Sequence, residues 1–149
     1  MFRKKAASGV SVDWSKPFTK KDFSRLRAVC DVVREALIGP IPCDYRLAGK
    51  SKENAAASWI PGSGWFLKIH FYDGFFDRSL ENQLYTIVHE HVHVMEQPTD
   101  QALARCERLV PKKYHDEYWE RIHVAREITV ERAAGALMPL LLPKIAEVL

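Results

Sequence analysis

The stretch YTIVHEHVHVMEQ, Tyr85 to Gln97, sets three histidines and two glutamates among Ile87, Val88, Val92 and Met95. Apolar residues recur here at helical intervals, which predicts a helix from about Leu80 to Gln97. It stops before or at Pro98, because proline lacks an N–H and disfavours helix in the residue before it. Within it, His89, Glu90 and His93 spell H-E-x-x-H. Residues four apart lie on one face of a helix, so the two imidazoles can hold one Zn²⁺ ion. Glu90 is displaced around the helix and reaches a water in the open coordination position without being a ligand.

Those residue types suit one chemistry. Neutral imidazole is a good donor to zinc, and the ion lowers the pKa of water from about 15.7 towards roughly 7. A carboxylate beside that water takes its proton during attack on a peptide carbonyl and passes it to the leaving amine. That role falls to Glu90. Co²⁺, Mn²⁺ and Ni²⁺ suit the same donor atoms. His91, two residues from each candidate ligand, points away from them and is expected to be structural. Tyr85 and Gln97, one turn before and after the pair, are candidate lining residues.

Two histidines and a water leave a catalytic zinc short of one protein ligand. HVAREITVERAA supplies His123, Glu127 and Glu131 at successive four-residue steps, on one face of a helix predicted from about Lys113 to Met138. Pro139 is expected to end that helix and a short tail helix to follow. Glu127 is the first choice for the third ligand. Glu131 is the next, or a carboxylate holding a histidine Nδ1–H; His123 is an alternative ligand or a hydrogen-bond donor to the reacting oxyanion. Glu120 is expected to face solvent, and His70 and His115 to be isolated polar residues.

Residues 1–17 lack an apolar period and read as a flexible N-terminal arm, with residues 18–149 forming a single domain. In FTKKDF, Thr19 can cap a helix with Asp22 as its acidic partner, and Phe18 with Phe23 has the spacing of a hydrophobic staple. Phe23, Leu26, Cys30, Val33 and Leu37 then mark an amphipathic helix that ends near Gly39 and Pro40. CDYRL, AAASWI and WFLKIHFY read as about three short strands of an antiparallel sheet, with a PGSG turn at Pro61 to Gly64. WFLKIHFY directs Trp65, Leu67, Ile69 and Phe71 to one face and is the candidate edge for an extended peptide substrate. A helix from Asp100 to Leu109, closed by Pro111, completes an α+β pattern.

The chain of 149 residues, 47% hydrophobic, suffices for one core. Its net charge of +3, from 22 basic and 19 acidic residues, is spread out, so nucleic acid is not expected as the principal partner. Three cysteines at wide spacing argue against a disulfide framework or a thiolate zinc site. Each is expected to be a small buried hydrophobe, in a reducing compartment. The N-terminus has no apolar signal region, and Ala136 to Leu142 is too short to span a bilayer. A cytoplasmic protein without a membrane partner is expected.

Taken together, the histidine motif and REITVERAAGALMP, Arg126 to Pro139, resemble a zincin metallopeptidase of the glutamate-ligand (gluzincin) branch. The closer resemblance, over Leu80 to Pro139, is to the compact ImmA/IrrE-type peptidase domain, often phage or mobile-element associated. It implies a zincin-like fold in which a small antiparallel sheet packs against the H-E-x-x-H helix and a later ligand-bearing helix. It implies His89, His93 and Glu127 as zinc ligands and Glu90 as the catalytic glutamate of an endopeptidase acting on a protein or peptide substrate. Where that family commonly has E-A-N, this chain has TVER, so the choice between Glu127 and Glu131 stays open. Two alternatives stand beside it. One is a catalytically silent protein-binding module with a stabilising zinc; the other is a SprT-like DNA-associated protease, for which only His123 is available as a third histidine ligand.

Overall fold

The computed structural model describes residues 11–59 and 67–149. The first helix, α1 (Phe23–Leu37), buries Leu26, Val29, Cys30 and Val33, the stripe expected of an amphipathic helix. A 3₁₀ turn over Lys20–Asp22 leads into it, and the Asp22 carboxylate accepts from both the backbone N–H and the hydroxyl of Thr19, at 3.0 and 2.7 Å. Those bonds hold its pKa below the ordinary aspartate value. Gly39, at φ 94°, ends the helix, its N–H donating to the Arg34 carbonyl. Phe18 is fully buried and Phe23 packs against the same core, as the staple spacing predicts. Val12 also packs there, so part of the expected arm lies on the domain; residues 1–10 fall outside the described residues.

Three strands follow: β1 (Cys43–Leu47), β2 (Ala55–Trp59) and β3 (Leu67–Phe71). The PGSG turn and Trp65 lie outside the described residues. Leu67, Ile69 and Phe71 are fully buried on one face of β3, as alternation predicts. The sheet is mixed rather than antiparallel: β3 is central, parallel to β1 and antiparallel to β2. Side-chain alternation has the same period of two in either arrangement, so it carries no information about strand direction. The order also corrects the candidate edge. The described part of WFLKIHFY, Leu67–Phe71, forms the middle strand, and β2, the Ala-rich segment, presents an edge towards the histidine helix.

After the short α2 (Asp73–Phe76), Ser79 caps α3 (Leu80–Met95), accepting from the Asn82 N–H. α3 buries Leu84, Ile87, Val88 and Val92 and packs against β2, α1 and the last helix. Glu96 separates it from α4 (Gln97–Cys106), which begins earlier than expected because Pro98 fits a first helical turn, where its missing N–H has no intrahelical acceptor to lose. Two 3₁₀ turns, over 107–109 and 112–114, lead into α5 (His115–Ala146).

α5 runs through Pro139 and Pro143, correcting the expected stop and separate tail helix. Each proline removes an i to i−4 bond, but Leu141 and Ile145 are buried in the core and hold the C-terminal turns against that loss. Cys30 is buried and Cys43 half-buried, whereas Cys106 is exposed, against the expectation that all three are buried. Among the described residues no helix is long and apolar enough to cross a membrane.

Candidate metal centre

α3 and α5 cross so that His89 and His93 on one face Glu127 on the other. The two imidazole Nε2 atoms lie 3.1 Å apart. Glu127 stands 3.6 Å from His89 through Oε2 and 3.4 Å from His93 through Oε1. Donors held about 2.0–2.2 Å from a tetrahedral zinc are about 3.3–3.6 Å from one another; both carboxylate distances match that spacing, the two imidazoles stand slightly closer together, and the donor set fits such an ion in its chemistry. These three are also the only His, Cys, Asp or Glu group among the described residues whose ligand atoms converge in this way.

Burial disfavours the charged imidazolium at both positions. It lowers the pKa of His89, against an upward pull from Glu127 and Glu131. His93 falls to about 4, through burial first and then the nearby His89, Arg126 and His123. Both rings are therefore neutral at neutral pH, the charge state that binds metal.

Glu90 is only 8% exposed. One oxygen, Oε2, accepts from the Ala57 N–H on the β2 edge at 2.9 Å. Burial raises its pKa to about 7, the Ala57 bond opposes that rise, and the negative charges of Glu127 and Glu53 add to it. A carboxylate so placed exchanges protons near neutrality.

His91 is fully buried on the opposite side of α3, in the structural place expected of it. Its Nδ1–H donates to the Ile87 carbonyl at 2.7 Å, which leaves Nε2 to accept from the Tyr45 hydroxyl on β1 at 3.3 Å. Tyr85 lines a cavity shared with His89 and Glu90, and its hydroxyl donates to the Glu131 carbonyl. The side chain of Gln97 lies outside the described residues. His123 is exposed, its Nδ1 3.9 Å from Glu127 Oε1 and outside the three-donor group. Glu131 lines the cavity, and among the described residues its carboxylate bonds neither imidazole. Glu120 is exposed, His70 is half-buried on β3, and His115 bonds the Val110 carbonyl away from the site.

Sequence reasoning missed the partner of Glu90, because a backbone N–H on an edge strand leaves no residue-type signal. It also missed Asn82 and Thr86, which line the cavity with Glu90. The four-residue steps Asn82, Thr86, Glu90 did carry that signal, a polar row along α3 beside the Tyr85, His89, His93 row. No protein-family model matches this chain, and neither a curated protein nor a solved structure does.

Proposed function

We propose that the protein is a zinc-dependent endopeptidase with a zincin-like arrangement, His89, His93 and Glu127 holding the metal and Glu90 acting as general base. The observation that carries this reading is the convergence of three neutral or anionic donors beside a buried carboxylate that is not one of them. A purely structural tetrahedral site has no use for such a base, which favours an enzyme over a silent binding module. Convergence on Glu127, with His123 exposed, favours a glutamate ligand over the three-histidine set of a SprT-like protease.

Bound zinc supplies a Lewis acid that acidifies water and polarises a carbonyl. The remaining work belongs to the chain. Glu90 takes the proton of the attacking water and returns it to the leaving nitrogen; with Oε2 tied to Ala57, Oε1 is the atom that carries it. The neutral imidazoles keep cationic charge away from that proton transfer. Beside them the outer edge of β2 offers backbone groups along which a peptide can lie extended.

Metal analysis and peptide hydrolysis on the wild type, Glu90→Gln and Glu127→Ala test the assignment. Glu90→Gln is expected to retain about one equivalent of zinc and to lose hydrolysis by about 10²–10⁴-fold. Glu127→Ala is expected to bind zinc at least about tenfold more weakly. Undiminished cleavage by Glu90→Gln removes the general-base assignment, and full zinc affinity in Glu127→Ala removes that ligand.

A further inference from the structure

Next to Glu90 lies a cavity of about 440 Å³, within the range of small-ligand pockets, about 300–1,000 Å³. Proton transfer as described uses only its Glu90 and His89 wall. Ala55, Thr86 and Glu90 are buried and form its floor, while Glu53, Arg78, Asn82 and Glu131 are exposed and form its rim. The two rim carboxylates come from separate elements, Glu53 from the loop before β2 and Glu131 from α5. The Tyr85–Glu131 hydrogen bond joins α3 to α5 along this wall. Neither rim carboxylate is in an ion pair among the described residues.

We propose that this cavity is the specificity pocket of the peptidase, admitting a lysine or arginine side chain from a substrate residue that flanks the scissile bond. The inference rests on the peptidase reading. Glu53 and Glu131 outnumber the single rim cation, Arg78, so an acidic side chain meets net repulsion and a basic one gains charge-assisted hydrogen bonds. The long aliphatic stem of lysine or arginine suits a wall made of the Tyr85 ring, the Ala55 methyl and Thr86, with its charged head at the rim. A purely apolar side chain gains no charge-assisted bond from the exposed rim carboxylates, which keep their water.

The test uses zinc-loaded protein and matched fluorogenic peptides carrying arginine, lysine, norleucine or glutamate at each position flanking the cleaved bond. Wild type is expected to prefer a basic residue over norleucine at one fixed position by at least about tenfold in kcat/KM. In the Glu53→Gln/Glu131→Gln double variant, at equal zinc content, that ratio falls below about threefold, with Glu53→Gln alone intermediate. Preference for norleucine or glutamate in wild type, or an unchanged ratio in the double variant, overturns the pocket. A second measurement is independent of turnover: argininamide and norleucinamide are titrated into zinc-free protein and followed by amide NMR. Argininamide is expected to shift Asn82, Thr86 and Asn54, which also lines the cavity, and to do so less in the double variant. The absence of those shifts overturns the pocket even if peptides are cut. Shifts without cleavage of any peptide sink the peptidase reading and leave a cation-selective site.

Discussion

Among the described residues the molecule divides into a packed half and a smaller part, Met95 to Thr129, that adds no buried side chain to the core, and the candidate metal centre lies on the seam between them. Phe18, the α1 stripe, β3, α3 and the C-terminal turns of α5 share one cluster of fully buried side chains. From Met95 to Thr129, no residue whose burial is described is buried. That second region, α4, the two 3₁₀ turns and the first half of α5, is tied internally by polar contacts. Tyr118 donates to the Leu103 carbonyl, Trp119 to Glu107, and His115 bonds the Val110 carbonyl. His89 and His93 belong to the packed half, whereas Glu127 comes three residues before Val130, the first buried residue of α5. A rigid pair of donors thus meets a third whose position depends on a less anchored element.

The largest effect expected from a single substitution lies in the packed half, at Gln83. Its fully buried side chain accepts from the Phe18 N–H at 2.7 Å and donates to the carbonyls of Phe18 and Phe75, at 3.0 and 3.1 Å. It therefore pins the segment before α1 and the turn of α2 to α3. Gln83→Leu strands the buried N–H and carbonyl of Phe18 and takes one donor from the Phe75 carbonyl, which keeps those of the following turn; it should cost about 3–5 kcal/mol in denaturant unfolding. A loss under about 1 kcal/mol would mean that these backbone groups reach solvent, and the contrast between halves would weaken.

Next in size is a pH effect at His91. Its folded-state pKa is depressed by burial to about 4, from an ordinary value of 6.5. The unfolded chain accordingly takes up the proton first as pH falls below 6.5, while the folded protein resists it down to about 4. Stability present above pH 6.5 is lost progressively across that window, up to about 3 kcal/mol from this residue. His91→Gln keeps a neutral hydrogen-bonding side chain and should make the dependence between pH 7.5 and 5 shallower, measured with metal chelated, leaving the share that His93 and His89 contribute. An equally steep profile in the variant assigns the acid sensitivity to His89 and His93 instead.

Legibility in the sequence follows the same division. The packed half was readable because burial imposes a period: the α1 stripe, the alternation of β3 and the apolar faces of α3 follow from residue spacing alone. Spacing also put His123, Glu127 and Glu131 on one face as candidates to meet His89 and His93, with Glu127 the first choice, but only the crossing of α3 and α5 brings Glu127 to the pair. Strand direction was not readable, because β1 alternates identically beside either kind of neighbour. Nor was the passage of α5 through Pro139 and Pro143, where local propensity yields to the burial of Leu141 and Ile145. Cys106 is exposed although its residue type usually signals burial, because it falls in the stretch where no residue of described burial is buried. Glu53 and Arg78 come to the cavity from loop positions that lack any period.

A third measurement sharpens the contrast through the metal itself. Amide exchange in α4 and in α5 up to Arg126 should proceed through openings that cost less than global unfolding, while α3 exchanges only through the global route. On the proposed function the zinc-competent form has Glu127 docked against α3, so loading should slow exchange in α4 and early α5 by about tenfold or more in wild type. Glu127→Ala should lose that increment while α3 stays protected. Equal protection in both halves of the zinc-free protein would show that the seam is not mechanical, and Glu127 would then be as preorganised as the histidines.

The smallest expected effect tests whether the stretch from Met95 to Thr129 has any cooperativity of its own. Tyr118→Phe removes a single hydroxyl, the one that donates to the Leu103 carbonyl at 2.7 Å and links α5 to α4. Because Leu103 lies on a half-exposed surface, water can replace the lost donor, and global stability should change by less than about 1 kcal/mol. Exchange in α4 should nevertheless quicken, by about two- to fivefold, since the bond closes a local opening rather than the whole fold. If α3 quickens in step with α4, the two regions unfold as one unit, and the position of Glu127 is governed by the core after all.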